Sequence, residues 1–166
     1  MDERAGSDLK NVARHAYEME VIIPSPPVDF VEEDAIEKAI ELEEVGDSGE
    51  AQRVLMGLTL ADLRCLDAHA HLGNLEVDHK TEKALRHYDV GTLIGELSFG
   101  PGFSGFLPWN MIGNRPYLRC LHGYGRCLWR LNRCEEAANV FTRMLSLCPA
   151  DDLRVRVLLA DIRAGR

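Results

Sequence analysis

From residue 31 onward the apolar positions recur at the spacing of one helix face and almost nowhere alternate as a strand would. Ala35, Ile36, Ala39, Ile40 and Leu42 form a first stripe, preceded by Glu32, Glu33 and Asp34, whose charge suits a helix N-terminus. Gly46 is expected to end this helix, and Asp47 or Ser48 to cap a second with Ala51, Val54, Leu55 and Leu58 inward. A third is expected from near Asp62, with Leu63, Leu66, Ala70, Gly73 and Val77 inside, and after a turn at 78–81 a fourth follows through Ala84, Leu85, Tyr88, Gly91 and Ile94. Residues 98–114, with Gly100, Pro101, Gly102, Gly105, Pro108 and Gly113, cannot be regular helix and read as an inserted loop. Asn114 then reads as an N-cap with Pro116 in the first turn of a helix carrying Leu118, Leu121, Tyr124, Leu128 and Leu131, with Asn132 as its left-handed terminator. Ala137, Val140, Phe141, Met144 and Leu145 mark a helix over 133–148 that Pro149 stops, and a last helix is expected from Asp151 or Asp152 to about Arg163. Residues 1–30 stand apart from the domain over 31–166. Leu9, Val12, Ala16 and Met19 predict a short helix over 7–19 before an extended, proline-rich linker at 22–27, and either a docked cap or a loose tail fits them.

Helix pairs at a period of about 34 residues match the tetratricopeptide repeat (TPR). The stretch Leu121 to Pro149 resembles one full motif: Leu121 and Leu128 at large-residue places, Tyr124 and Gly125 where the motif has Leu-Gly, then Ala137, Phe141 and Pro149, with Met144 departing from the usual small residue. Ala68 to about Gly95 resembles an earlier copy through Leu72, Gly73, Ala84, Tyr88 and Gly91, one residue short between Gly73 and Ala84. Ala35 to Leu63 resembles a third through Ala39, Gly46, Ala51 and Leu55, with Leu63 where the motif has proline. The resemblance implies an all-α, right-handed α-α superhelix of about three helix pairs plus a C-terminal capping helix. It also implies a protein- or peptide-binding scaffold whose groove is built from the first helix of each pair. Projected onto this chain, the groove would show Glu33, Glu37 and Ile40 from the first copy, His71 and Asn74 from the second, and Arg119, His122, Arg126 and Arg130 from the third.

Composition narrows the function. With 46% apolar residues in 166, one core-bearing domain is expected. No run approaches the roughly 18 apolar residues of a membrane span, and the acidic, polar N-terminus carries no signal-peptide stretch, so a cytoplasmic protein is expected. Five cysteines without a CxxC pair predict no disulfide framework. The net charge of -8 argues against a dedicated nucleic-acid binder. That charge is unevenly spread: residues 101–166 hold ten arginines, no lysine and five acids, net +5, which leaves -13 for residues 1–100. Such polarity suits head-to-tail contacts or an extended partner, and the Arg-rich half could alternatively serve a nucleic-acid regulator.

Among motifs with chemistry, Asp67-x-His69-x-His71 resembles the metal-binding start of the amidohydrolases, where both histidines lie on a strand and point the same way. On a helix they stand roughly 200° apart, and the chain is far below the ~250 residues of a (β/α)₈ barrel. A metal-dependent hydrolase on Asp67, His69 and His71 is therefore not expected. Cys120, Cys127 and Cys134, seven apart, are separated by ~10.5 Å per step on a helix, too far to share a metal. They read as small core residues. No catalytic, cofactor or metal motif remains. For binding, Arg119, Arg126 and Asn74 are donors that could hold carboxylates, or could pair with acids of the chain itself. In the loop, Phe103, Phe106 and Trp109 must be buried against the chain or in a partner, with the chain itself expected. Leu153, Val155, Val157, Leu158, Leu159 and Ile162 make a wide stripe, from which self-association through the C-terminal helix is expected.

Overall fold

The computed structural model describes residues 14–24 and 34–165. Glu32, Glu33 and the first half of the expected N-terminal helix lie outside them, as do residues 25–27 of the linker. The described residues are all-α: α1 (Ala35–Glu44), α2 (Ser48–Ala61), α3 (Leu66–Glu76), α4 (Thr81–Phe99), α5 (Arg115–Arg130), α6 (Cys134–Leu147) and α7 (Val155–Arg163), with a 3-10 turn at Ile112–Asn114. Among them no helix is long and apolar enough to cross a membrane.

Local signals set most boundaries as the residues predict. The Asp34 carboxylate accepts the Ile36 N–H and the Asp47 carboxylate the Glu50 N–H, so both are true N-caps. Gly46 and Gly100 adopt left-handed φ of 84° and 73°, which lets the chain leave α1 and α4 without a Cβ clash. Asn132, at φ 60°, terminates the turn after α5 as expected. Three boundaries differ. Asp62 starts no helix: it is extended, caps the C-terminus of α2 and accepts the Arg64 N–H, so this local turn delays α3 to Leu66. The inserted stretch gives Ser98 and Phe99 to α4. The last helix begins at Val155, because Asp151 is itself left-handed (φ 62°) and its carboxylate reaches forward to the Val155 and Arg156 N–H groups.

Each helix packs on the next, and α3 also packs on α1 and α5. The pairs α1–α2, α3–α4 and α5–α6 thus stack, and α7 closes the series on α6. One buried cluster joins Ala35, Ala39, Val54, Leu55, Leu58 and Leu72, and a larger one joins Leu118, Leu121, Leu128, Phe141, Leu147, Val155 and Leu159. Glycine decides how closely these helices approach. The Tyr88 ring lies between α3 and α5, and a Cβ at Gly73 or Gly123 would come within 2.4 Å and 2.3 Å of it. Gly125 likewise makes room for the Phe141 ring and Gly95 for Tyr117. These glycines are sockets for aromatic rings rather than points of bare backbone contact. Tyr88 donates to Asn74 and Tyr117 to Glu96, so each buried phenol has a partner. Burial, first of all, pushes both phenol pKa values up.

The N-terminal segment departs from its expected helix. Residues 14–24 contain no helix; Ala16 bridges Phe106 in parallel, with Tyr17 N donating to Phe106 O at 2.9 Å and Phe106 N to His15 O at 2.8 Å. Arg14 extends this docking through the carbonyls of Ser104, Gly105 and Ser146. The helical spacing of Ala16 and Met19 loses to these long-range bonds. Asn114, fully buried, is their hub: its Oδ1 accepts from Met19 N, and its Nδ2 donates to the carbonyls of Tyr17 and Pro108. Asn114 still occupies the N-cap position of α5, but its side chain makes no capping bond there. Pro116 still occupies the first turn, where the missing N–H costs nothing.

Candidate functional site

The first helices of the three pairs, α1, α3 and α5, are linked by one chain of ionisable side chains. His71 on α3 lies 3.6 Å from Glu43 of α1 through Nδ1 and 3.9 Å from Asp67 through Nε2, and Asp67 in turn pairs with Arg119 of α5 at 3.0 Å. Burial raises the Glu43 carboxyl and the neighbouring His71 pulls it back, with a net upward shift. The Asp67-x-His69-x-His71 motif is thus divided. His69 is buried and its Nε2 lies 2.9 Å from the Leu63 carbonyl, while His71 faces the acids. Their imidazoles serve different neighbours, as their separation around a helix requires. No trio of His, Cys, Asp or Glu is placed to hold a metal among the described residues.

The expected groove residues fall into two groups. Asn74 accepts the Tyr88 hydroxyl, Arg119 is held by Asp67, and Arg130 bonds the Val77 carbonyl and Asp78. These three are committed within the chain. His122 and Arg126, at i and i+4 on α5, are joined by Arg130 at i+8, already paired, in one wall of an open groove of about 660 Å³ between α5 and α7. Trp129 and, from the α7 side, Leu153, Val157 and Leu158 supply its apolar surface, and Arg154 adds a cation. Arg126 and Arg154 are exposed, and neither guanidinium has a hydrogen-bond or ion-pair partner among the described residues. Arg154 is left-handed at φ 56°, held there by its backbone bond to Asp151, which turns the chain into α7. Among the described residues no acid lines the groove; the nearby Asp78 is paired with Arg130, and the Asp151 carboxylate accepts from the α7 N-terminus. His122 adds no charge there at neutral pH: burial, then the Arg126 charge, lowers its pKa to about 4.

Among the described residues, several arginines of the C-terminal half are engaged within the chain. Arg133 pairs with Glu136, Arg143 with Glu96 and Arg156 with Asp151, and Arg115 bonds the Trp109 carbonyl. The loop aromatics are partly buried against the chain. Phe103 stacks on Phe99, Phe106 lies 4.0 Å beneath the Arg14 guanidinium, and Trp109 packs on the core beside Arg115 and Arg119. Much of the α7 stripe is likewise consumed: Val155 and Leu159 are buried, Leu153, Leu158 and Ile162 pack on the same core, and Val157 stays half exposed. Cys120 and Cys127 are buried on α5, where burial raises both thiols, Cys127 to about 11, whereas Cys134 opens α6 and does not continue their line.

Trp129 and Arg154 are the groove residues that sequence reasoning missed, whereas Leu153, Val157 and Leu158 belong to the C-terminal stripe it singled out. Trp129 was within reach of it, three residues after Arg126 and so on the same helix face. Arg154 was not, since its placement depends on a left-handed residue in the turn before α7. No known protein-family model matches the chain, and no curated protein shows significant similarity to it.

Proposed function

We propose that the chain is a non-catalytic, TPR-like binding scaffold of the cytoplasm that holds an acidic peptide or protein segment in the groove between α5 and α7. The observation that carries this reading is the pair of unpartnered guanidiniums, Arg126 and Arg154, over an apolar floor that no acid neutralises. Unpaired arginines match carboxylate geometry through two parallel N–H donors, and Trp129, Leu153 and Val157 offer an anchor site for one apolar side chain. The stacking of successive helix pairs, with α3 against both α1 and α5, supports the superhelical arrangement the resemblance implies.

The test uses a dye-labelled synthetic peptide of alternating Glu and Leu, followed by fluorescence anisotropy at low salt. Arg126→Glu, Arg154→Glu is expected to weaken binding by about tenfold or more, since a charge-assisted hydrogen bond contributes ~1.5–3 kcal/mol. Arg119→Ala, which loses the bond to Asp67 on the neighbouring helix and the contact with the Trp109 ring but nothing in the groove, is expected to change affinity far less. Equal affinity of the wild type and the double variant would sink the proposal.

A further inference from the structure

Two surfaces of the chain complement each other, and they lie at opposite ends of the helix order. α1 packs on α2 and α3 through Ala35, Ile36 and Ala39, leaving its other side open. That side carries Glu37, Ile40, Glu41 and Glu44, all exposed, at i, i+3, i+4 and i+7, which places them in one stripe. Lys38, 3.7 Å from Glu41, is the one basic residue of the helix. Beyond α6, the α5–α7 groove offers Arg126, Arg130 and Arg154 around Trp129 and Val157. The seven-residue span of the α1 stripe is ~10.5 Å long and the eight-residue span from His122 to Arg130 is ~12 Å. Charge, apolar anchor and length therefore match.

We infer that the acidic stripe of α1 from a second copy of this chain occupies the α5–α7 groove, so that copies associate head to tail. The inference rests on the proposed function of the groove and names its partner. Glu41 and Glu44 meet Arg126 and Arg154, and Ile40 enters the floor at Trp129 and Val157. Stripe and groove are different surfaces of one copy, so each contact leaves a free stripe at one end of the assembly and a free groove at the other. Growth is open-ended. The contact is small and charge-dominated, which makes it weak and sensitive to salt.

Sedimentation equilibrium of the full chain tests this. The wild type is expected to gain mass beyond a dimer as concentration rises at low salt, and to return to monomer near about 0.5 M NaCl, where the screening length shrinks to a few ångströms. Arg126→Glu, Arg154→Glu breaks the groove alone, and Glu37→Gln, Glu41→Gln, Glu44→Gln breaks the stripe alone. Each is expected to stay monomeric with unchanged circular dichroism. Mixed in equal amounts, they should form one heterodimer that grows no further, joining the intact stripe of the first to the intact groove of the second. A wild type that is monomeric at every concentration, or a glutamine variant that still associates like the wild type, overturns the inference. If the wild type is monomeric but the labelled peptide still binds through Arg126 and Arg154, the second copy is the wrong occupant and the groove reading survives. If the peptide fails as well, both fall.

Discussion

Tyr88 shows how far a single side chain governs this structure. Its ring fills the space left by Gly73 on one side and Gly123 on the other, and its hydroxyl reaches Asn74. Gly123→Ala should cost about 1–3 kcal/mol, the range for overpacking a close-packed interior, measured as a lower midpoint in urea unfolding. An unchanged midpoint would show that the ring moves aside freely. A partly buried imidazole gives a second prediction. The pKa of His122 is lowered from 6.5 to about 4, first by burial, so the unfolded chain binds more protons than the folded one between those values. The stability this group confers is present above pH 6.5 and is lost as pH falls toward 4, with an upper scale on the order of 2–3 kcal/mol. His69 and His87, also lowered mainly by burial, act in the same direction, while Glu43, raised by burial, opposes them. Unfolding free energies at pH 7 and 4.5 should differ less in His122→Gln than in the wild type. The small residues at 73 and 125 were legible as repeat positions, and Phe141 as a residue that fills the space beside Gly125, but the seat of the Tyr88 ring between Gly73 and Gly123 was not, since Tyr88 arrives from another helix.

The segments between helices hold the main surprises. Residues 14–24 and the loop after α4 stabilise each other, and Asn114 serves both. Asn114→Ala removes three buried hydrogen bonds and leaves the Met19 N–H without its acceptor, so a loss of about 2–4 kcal/mol is expected. Hydrogen exchange should then accelerate at residues 15–19 and 106–108 while α2 and α3 keep their protection. Protection unchanged at 15–19 would mean that the Ala16–Phe106 bridge and Arg14 hold the segment alone. The late starts of α3 and α7 have the same origin. Asp62 and Asp151 each bond backbone N–H groups that a helix beginning at that residue would have arranged differently. An acid before an apolar run signals a helix start, but it does not say which of several nearby residues is the cap.

The molecule as a whole is built by neighbours. The cluster around Leu55, Leu58 and Leu72 is distinct from the one around Leu118, Phe141 and Leu159. Leu55→Ala, at a fully buried position, should cost ~2–5 kcal/mol, with the loss of hydrogen-exchange protection largest in α1, α2 and α3 and smallest in α5 and α6. Uniform loss along the chain would mean that the stack unfolds as one unit. Charge also acts at this scale. The acidic half and the arginine-rich half meet in the fold, where three arginines of the second half join acids of the first: Arg119 to Asp67, Arg130 to Asp78 and Arg143 to Glu96.

The seven helices of the described residues, most of their apolar faces, the turns at Gly46 and Asn132 and the asymmetry of charge were readable along the chain, because each depends on residues within a few positions of one another; Leu63 and Ile40, expected inside, are exposed. Folding alone settled the route of residues 14–24, the assignment of Asn114 to that segment, and which arginines stay free. Those outcomes depend on which distant groups meet. A carboxylate fifty residues away neutralises Arg119, and the turn that places Arg154 across from Arg126 exists only because Asp151 caps α7.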